Sequence, residues 1–239
     1  MASRIDAGTG VDEAIVEAVE AIARVVADHP DAIGAQPILD VVVASALRAV
    51  PGARSASTLL LDRRRHAVGV SASDPATAGL DQAQVTLGEG PAVEAATGST
   101  ITSENDLPHS TRWLRWAALA VGTGHLTVMS LPIRTRRVRG AVTLYGADSF
   151  AQQDVLAARL VAGAAALAVD NALSVTGLTR ALETRDVIGQ AKGILKERFS
   201  VDDRAAFALL VESSQDTNIK LREVASLLAD GSLGLPPRS

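Results

Sequence analysis

The stretch LTVMSLPIRTRRVRGAVTLY, residues 126–145, decides the fold of the larger part of this chain. It contains two runs of aliphatic and β-branched residues, 126–133 and 138–145, which the polar segment 134–137 separates. Two such runs joined by a short polar turn are typical of a β-hairpin. We therefore predict two adjacent antiparallel strands here and interpret the flanking segments around them.

Upstream of the hairpin, short apolar runs bounded by turn-forming residues predict further strands of the same sheet, at 57–61, 67–72 and 99–102. Helical spacing of apolar residues predicts helices at 11–28, 37–50, 91–96 and near 113–121. The first helix carries an apolar stripe on one face, and His29-Pro30 is predicted to end it; the stripe consists of Val11, Ile15, Val19, Ile22 and Val26. This mixture of elements predicts an α+β domain.

Downstream of the hairpin the pattern is helical. An apolar pattern continues from Gln152 to Phe199 without a proline, which predicts one long connecting helix. The alanine-rich run 157–172 within it suits close approach of another helix, either inside the chain or across a homodimer seam. That seam would also use the helix at 11–28.

Two shorter helices are predicted after Phe199. Ser200 with Asp203 resembles a capping box for the first, and Thr217 or Asn218 is expected to cap the second, which ends at Asp230-Gly231. With the end of the long helix they form a three-helix bundle, in whose core we expect Phe207.

Composition excludes several kinds of protein. The chain has 239 residues, 47% of them apolar, and a formal net charge of −4, which suits one large or two small globular domains. It has no cysteine, so disulfides, thiolate metal sites and thiol nucleophiles are excluded. The N-terminus lacks an apolar signal core, and no long uncharged apolar stretch is flanked as a membrane span would be. We therefore expect a cytoplasmic protein without membrane contact.

Catalytic and metal sites are not predicted. The four histidines, at 29, 66, 109 and 125, are scattered without metal-ligand spacing. Glu89 and Glu94 are the nearest acidic pair and lack a supporting His or Arg motif. The arginine clusters at 63–65 and 134–139 sit at turns, where they are either solvated or contact an acidic partner or RNA.

The end of the long helix separates its side chains by chemistry. A helical projection of residues 182–199 gives a core face of Ile188, Ala191, Leu195 and Phe199. Beside it lies a cationic stripe of Arg185, Lys192 and Lys196 with Gly189. Glycine in a helix interior costs about 1 kcal/mol relative to alanine, so Gly189 and Gly193 indicate close approach of a helix or of a nucleic-acid backbone.

These residues carry a resemblance. The run LTRALETRDVIGQAKGILKERF at 178–199, with Ala205-Ala-Phe207 and Ser214-Gln215-x-x-Asn218-x-Lys220-Leu221, resembles the ANTAR domain, an RNA-binding antiterminator module. The resemblance implies a three-helix domain, usually dimeric, that binds a pair of RNA hairpins near a transcription terminator. Its implied RNA-binding residues are Arg185, Gln190, Lys192, Gly193, Ser214, Gln215, Asn218 and Lys220, to which we add Gly189 and Lys196 from the cationic stripe.

The chain departs from the ANTAR pattern at three positions. Lys196 stands where the family usually has methionine, which adds a cation to the stripe. Val211 and Glu212 stand where basic residues are usual, which removes charge and so weakens phosphate contact. A module kept for dimerisation, with weakened RNA binding, is therefore an alternative, as is a helix-turn-helix that binds DNA.

The segment LGEGPAVEAA at 87–96, with Trp113, 127–132 and 140–145, resembles a GAF domain. This resemblance implies an antiparallel sheet of five or six strands, with helices on one side and loops over a pocket for a small ligand or a partner. Trp113, Trp116, Met129 and Tyr145 are the candidate pocket residues, with core packing as the alternative for each. Ala92 stands where a cysteine is common, so thiol chemistry is excluded there, and the cofactor is unknown.

The predicted organisation has four parts. An N-terminal amphipathic helix (1–35) precedes a GAF-like antiparallel sheet with flanking helices (36–172), an all-α ANTAR-like bundle on the long helix (173–231) and a disordered tail (232–239). We expect a homodimeric regulator that binds hairpins in nascent RNA and carries out no catalysis.

Overall fold

The predicted hairpin forms the centre of a five-stranded antiparallel sheet. The computed structural model describes residues 6–28 and 34–232. The strands are β1 (Ser55–Leu61), β2 (Ala67–Ala72), β3 (Thr102–Glu104), β4 (Thr127–Arg134) and β5 (Arg139–Gly146). Their order in the sheet is β2-β1-β5-β4-β3, and every neighbouring pair is antiparallel.

Eight α-helices are described. They are α1 (Asp6–Asp28), α2 (Gln36–Ala49), α3 (Pro75–Leu87), α4 (Pro91–Gly98), α5 (Leu114–Gly122), α6 (Gln152–Phe199), α7 (Asp203–Thr217) and α8 (Leu221–Ala229). A single 3-10 turn, Leu107–His109, follows β3. Helix α3 was not predicted, and the strand expected at 99–102 begins only at Thr102 because α4 continues to Gly98. The predicted helix end at His29-Pro30 and the tail from 233 lie outside the described residues.

The sheet is covered by helices on both faces, so the expectation of helices on one side only is wrong. Apolar residues of α1, α2 and α6 pack with Met129, Leu131 and Leu144 in one cluster. On the opposite face, α3, α4 and α5 pack against other residues of the same strands, among them Val128 and Tyr145. The alternation of side chains along each strand divides the core in this way.

Helix α6 belongs to two compact units of the chain. The units divide between Val175 and Thr176, three residues beyond the predicted boundary, and α1 belongs to the first unit. By length and composition alone α6 is long and apolar enough to cross a membrane. However, Ala157, Ala158, Val161 and Ala165 are buried in the core of the first unit, as in the core helix of a globular protein.

The alanine run therefore serves the intramolecular core, and its leucines point elsewhere. Leu156, Leu160 and Leu167 are 58%, 46% and 76% exposed, and Gly163 has open space around it. Positions 156, 160, 163 and 167 follow helical spacing, so they form one apolar ridge along α6, here called the leucine ridge.

In the second unit, the end of α6 packs with α7 and α8. Ala191, Leu195, Ala206, Leu210, Val224, Ala225 and Leu228 form the buried cluster. Phe207 is 42% exposed, so its predicted core position is wrong. The buried face of α7 contains Ala206 and Leu210, and Phe207, which directly follows Ala206, points away from that face. Phe199, assigned to the core face of α6, is also 42% exposed.

Candidate nucleic-acid interface and buried polar cluster

The cationic stripe predicted on α6 forms a surface ridge of the second unit. Arg185, Gly189, Gln190, Gly193 and Lys196 are exposed, and Lys192 is half-buried. Ala191 and Leu195, on the adjacent face of the helix, point into the bundle core. The charged and apolar residues are thus separated around α6 as their helical spacing predicts.

The two glycines of this ridge have open space where a side chain would be. A Cβ atom built on Gly189 or Gly193 meets no atom within 4 Å among the described residues of the chain. No helix of the described chain approaches them, so intramolecular packing does not offset the cost of glycine in a helix. The described residues therefore give no intramolecular reason for these two glycines.

The lysines of the ridge share one counter-ion. The Asp203 carboxylate, in the first turn of α7, lies 2.6 Å from Lys192 Nζ and 3.7 Å from Lys196 Nζ. The hydrogen bond from Lys192 lowers the pKa of Asp203 below its usual value. This pair ties α6 to the start of α7, whereas Arg185 has no ion-pair partner among the residues described.

The predicted contact residues between α7 and α8 lie on a tight turn. Gln215, Asn218 and Lys220 are exposed, and the half-buried Ser214 hydroxyl donates a hydrogen bond to the Ile219 carbonyl oxygen at 2.6 Å. Asn218 has φ +53°, a left-handed conformation that asparagine tolerates better than most residues and that closes α7. The turn therefore presents three polar side chains on a backbone that Ser214 helps to fix.

The caps of these helices differ from the prediction. The Asp202 carboxylate accepts a hydrogen bond from the Ala205 amide and caps α7, while Ser200 has φ +53°. Neither Thr217 nor Asn218 caps α8, whose N-cap is Lys220 without a side-chain hydrogen bond.

An ion pair brings the α7–α8 turn to α6. Arg222, in the first turn of α8, lies 3.2 Å from the Glu183 carboxylate. Arg185 is two residues after Glu183 and therefore lies about 160° around α6 from it, on another side of the helix than this ion pair. Lys192 and Lys196 pair with Asp203 at the start of α7 instead, so these contacts lie on a different side of α6 from the Glu183–Arg222 pair.

The four candidate pocket residues of the first unit do not line one cavity. Three of them pack together: the ring centroids of Trp113 and Trp116 are 5.9 Å apart, and those of Trp116 and Tyr145 are 6.3 Å apart. Met129 lies in the cluster on the opposite face of the sheet, because β4 pairs Met129 with Leu144 and Val128 with Tyr145. Met129 is thereby separated from the other three, and a ligand-binding role for any of the four stays a prediction.

A buried polar cluster missed by the sequence analysis lies beside Tyr145. The Asp81 side chain accepts hydrogen bonds from Gln84 Nε2 at 3.1 Å and from the Tyr145 hydroxyl at 3.5 Å, and its second oxygen has no hydrogen-bond partner among the described residues. Burial raises the pKa of Asp81 to about 7. Burial also raises the pKa of Tyr145 and lowers the pKa of His125, whose ring lies 4.9 Å from that of Tyr145.

The Gly-Glu-Gly-Pro segment connects to this cluster. Gly90 has φ +135°, and a Cβ atom there would meet the Gln84 side chain at 2.4 Å, so only glycine fits. The Gln84 side-chain oxygen accepts a hydrogen bond from the Ala92 amide at 2.7 Å. Gln84 thus joins the start of α4 to Asp81 and, through it, to Tyr145.

Glu89 and Glu94 each form an ion pair with an arginine, contrary to the expectation that no arginine supports them. Glu94 pairs with Arg112 and accepts a hydrogen bond from the Trp113 indole, while Glu89 pairs with Arg115 at 3.2 Å. These contacts fix the start of α5 against the segment around α4. In the described parts of the chain no group of three or more metal-ligating side chains is found.

Comparison with protein families gives two matches. The GAF domain model matches residues 34–170, and the ANTAR domain model matches residues 176–228. A comparison with curated proteins found no match.

Solved structures with similar folds share little sequence with this chain. A LuxR-family transcription factor dependent on N-acylhomoserine lactone, from Burkholderia cenocepacia, is 14% identical with a TM-score of 0.51, over 69% of this chain and 98% of its own. The phytochrome photosensory core module of Stigmatella aurantiaca is 10% identical with a TM-score of 0.55, over 87% of this chain and 45% of its own. A GAF domain of a phosphoenolpyruvate-protein phosphotransferase from Coxiella burnetii is 18% identical with a TM-score of 0.48, over 67% and 95%. At such identities the likeness concerns the fold alone.

Proposed function

Because this chain belongs to the GAF domain family and carries an ANTAR domain behind its GAF domain, we propose that it is a cytoplasmic, homodimeric antitermination regulator that binds paired RNA hairpins. GAF domains are sensor domains and ANTAR domains are RNA-binding antitermination domains.

The exposed ridge of α6 is the observation that carries the proposal. Arg185 has no ion pair in the described chain, and Gly189 and Gly193 leave the helix backbone open to close approach. An RNA backbone approaching along this ridge meets guanidinium and ammonium groups that pair with phosphates. Gln190, Gln215 and Asn218 offer amide groups that can hydrogen-bond to the edges of unstacked loop bases.

Asp203 sets the strength of this interaction. It neutralises part of the charge of Lys192 and Lys196 in the free protein. Phosphates that bind these lysines compete with Asp203, so part of the electrostatic gain is lost. In the proposed mechanism, the protein holds two hairpins in a form that excludes the terminator, and transcription continues.

The leucine ridge supports the dimer. Leu156, Leu160 and Leu167 are exposed along one side of α6 with Gly163 between them, and this apolar surface is unusual for an isolated helix face. Pairing of this ridge with that of a second copy would give each dimer two RNA-binding ridges, one for each hairpin. The GAF domain would then sense a ligand or a partner.

Replacement of Gly189 by alanine tests the RNA proposal directly. Because the Cβ atom has open space, Gly189→Ala should stabilise the helix by roughly 1 kcal/mol. The same methyl group should weaken binding to a two-hairpin RNA if the RNA backbone approaches closely. The measurement is fluorescence anisotropy at several salt concentrations, with duplex DNA of equal length for comparison and a terminator readthrough assay.

Arg180→Ala is the matched control, since Arg180 is exposed on α6 about 140° around the helix from Arg185. Greater stability with weaker RNA binding in Gly189→Ala, and unchanged binding in Arg180→Ala, is the expected result. If the wild-type protein binds duplex DNA as tightly as the two-hairpin RNA, the RNA proposal is refuted.

A dimeric protein-interaction or small-molecule sensor module with weakened RNA binding is the second candidate. Asp203 favours it, because a carboxylate between two predicted phosphate-binding lysines opposes phosphate binding. Val211 and Glu212, which remove positive charge from α7, favour it as well. An intact dimer that fails to bind two-hairpin RNA in the assay above would support this candidate.

A further inference from the structure

The two arginine clusters, which are far apart in the sequence, meet at one end of the sheet of the first unit. The β1–β2 turn and the β4–β5 turn border a cavity of about 620 Å³. Six arginines line it, namely Arg63, Arg65, Arg134, Arg136, Arg137 and Arg139. The register of β1 and β5, which pairs Leu61 with Arg139, brings the two turns together.

Little negative charge compensates these arginines. Asp62 is the one carboxylate among the lining residues, and it accepts hydrogen bonds from the backbone amides of Arg64 and His66 at 2.7 Å and 2.9 Å. Arg136 pairs with Asp170 at 3.1 Å. In the described parts of the chain the other five arginines that line the cavity have no ion pair. The last turn of α4 also borders the cavity, but a helix C-terminus carries only about half a negative charge.

This arrangement costs stability. Arg134 and Arg139 are directly opposite each other in the β4–β5 ladder, and like charges in such a pair repel. Arg65 has φ +66°, a left-handed conformation in which glycine or asparagine would be less strained. Solvation of a turn does not need arginine at these positions, so binding of an anion is the better explanation.

We propose that this cavity binds the oligophosphate group of a small ligand. Guanidinium groups present several planar N–H donors that match phosphate oxygens, and six of them around one concavity suit several adjacent phosphates. The volume lies in the range of small-molecule sites. The remaining lining includes Leu61, Ala96 and Val138 and no aromatic ring on which a base would stack, so the phosphates are the recognised part.

The source of the oligophosphate is either inorganic triphosphate or a nucleoside triphosphate. Titration calorimetry of the full chain with each, at physiological salt, measures the affinity. The test variant is Arg134→Gln with Arg139→Gln, and the control is Arg54→Gln with Arg159→Gln, two exposed arginines of the first unit that do not line this cavity. Because the test variant relieves a like-charge pair, we expect its thermal stability to be retained.

Both ligands should bind the wild-type protein, and the test variant should weaken both by roughly tenfold or more while the control leaves them unchanged. Equal affinity for both ligands indicates that the phosphates suffice, and tighter binding of the nucleotide adds a contact from its nucleoside. The proposal is overturned if neither ligand binds the wild-type protein, or if the control variant weakens binding as much as the test variant does. It is also overturned if these arginines bind RNA and neither of the two ligands. The test variant leaves the cationic stripe of α6 unchanged, so RNA hairpin binding by the ANTAR domain can be measured in the same variant. Failure of the oligophosphate proposal is therefore distinguishable from failure of the RNA proposal.

Discussion

Replacement of Asp81 by asparagine should stabilise the first unit at neutral and alkaline pH. Asp81 is 1% exposed, and burial raises the pKa of its carboxyl from 3.8 to about 7. An asparagine of nearly the same shape remains neutral at every pH and can still bond to Gln84 and Tyr145. The variant therefore removes the cost of holding an ionised carboxylate in the core.

The sign and size of the effect follow from the two pKa values. Between about pH 4 and pH 7 the folded protein keeps a proton on Asp81 that the unfolded chain has lost. The stabilising contribution of this bound proton to the free energy of unfolding is complete below about pH 4 and is lost as the pH rises through 7. A shift of about three pKa units corresponds to roughly 4 kcal/mol.

Urea unfolding followed by tryptophan fluorescence measures this change. Both tryptophans, Trp113 and Trp116, lie in the first unit, so the signal reports that unit even if the two units unfold separately. The stability difference between Asp81→Asn and wild type should be near zero at pH 4 and should grow to about 4 kcal/mol at pH 8. The titration of His125 is common to both proteins and cancels in the difference.

Asp148→Asn, at an exposed position after β5, is the control and should show no such growth. A stability difference for Asp81→Asn that is constant from pH 4 to pH 8, or a less stable variant at pH 8, would refute the assignment of a buried, protonated carboxyl.

Other predictions concern the second unit and the leucine ridge. Lys192→Ala should weaken RNA binding and reduce the magnitude of the salt slope by about one, and Lys196→Met should weaken RNA binding less. Asp203→Asn, which frees both lysines, should strengthen RNA binding. A different ranking of the three variants in an anisotropy titration would contradict the proposed RNA-binding role of these lysines. Leu210→Ala should destabilise the bundle by about 2 to 5 kcal/mol, whereas Phe207→Ala should cost less than about 1 kcal/mol, as measured by thermal unfolding. Leu160→Lys with Leu167→Lys should give folded monomers by light scattering and circular dichroism; a surviving dimer removes the proposed seam.

The sequence predicted those elements whose apolar pattern is local. The central hairpin was found from two aliphatic and β-branched runs on either side of a polar segment, and α6 from helical spacing that continues without a proline over many residues. Helix α3 was missed because Asp81 and Gln84 occupy buried positions on it, and these polar residues interrupt the apolar stripe. The hydrogen bonds that satisfy them in the core include one from Tyr145, 64 residues away in the sequence, which a local pattern does not show.

The errors at the sites have similar physical reasons. Met129 was grouped with Tyr145 because composition does not give the strand register, which decides which side chains share a face. Phe207 was placed in the bundle core because it lies three residues before Leu210, but Ala206, four residues before Leu210, occupies the buried face instead. The positive charges on α6 were predicted from spacing alone, whereas their counter-ion Asp203 depends on how α7 packs.

The boundary inside α6 limits how the chain can be divided. No loop residue separates the two units, because Val175 and Thr176 are consecutive residues of one helix. A cut at this peptide bond would leave four backbone carbonyls without donors on one fragment and four amides without acceptors on the other. Neither new end carries a natural cap, so each fragment would fray where the intact protein is helical. The free energy of unfolding measured on either fragment therefore depends on the new helix end that the cut creates as well as on the core of that fragment.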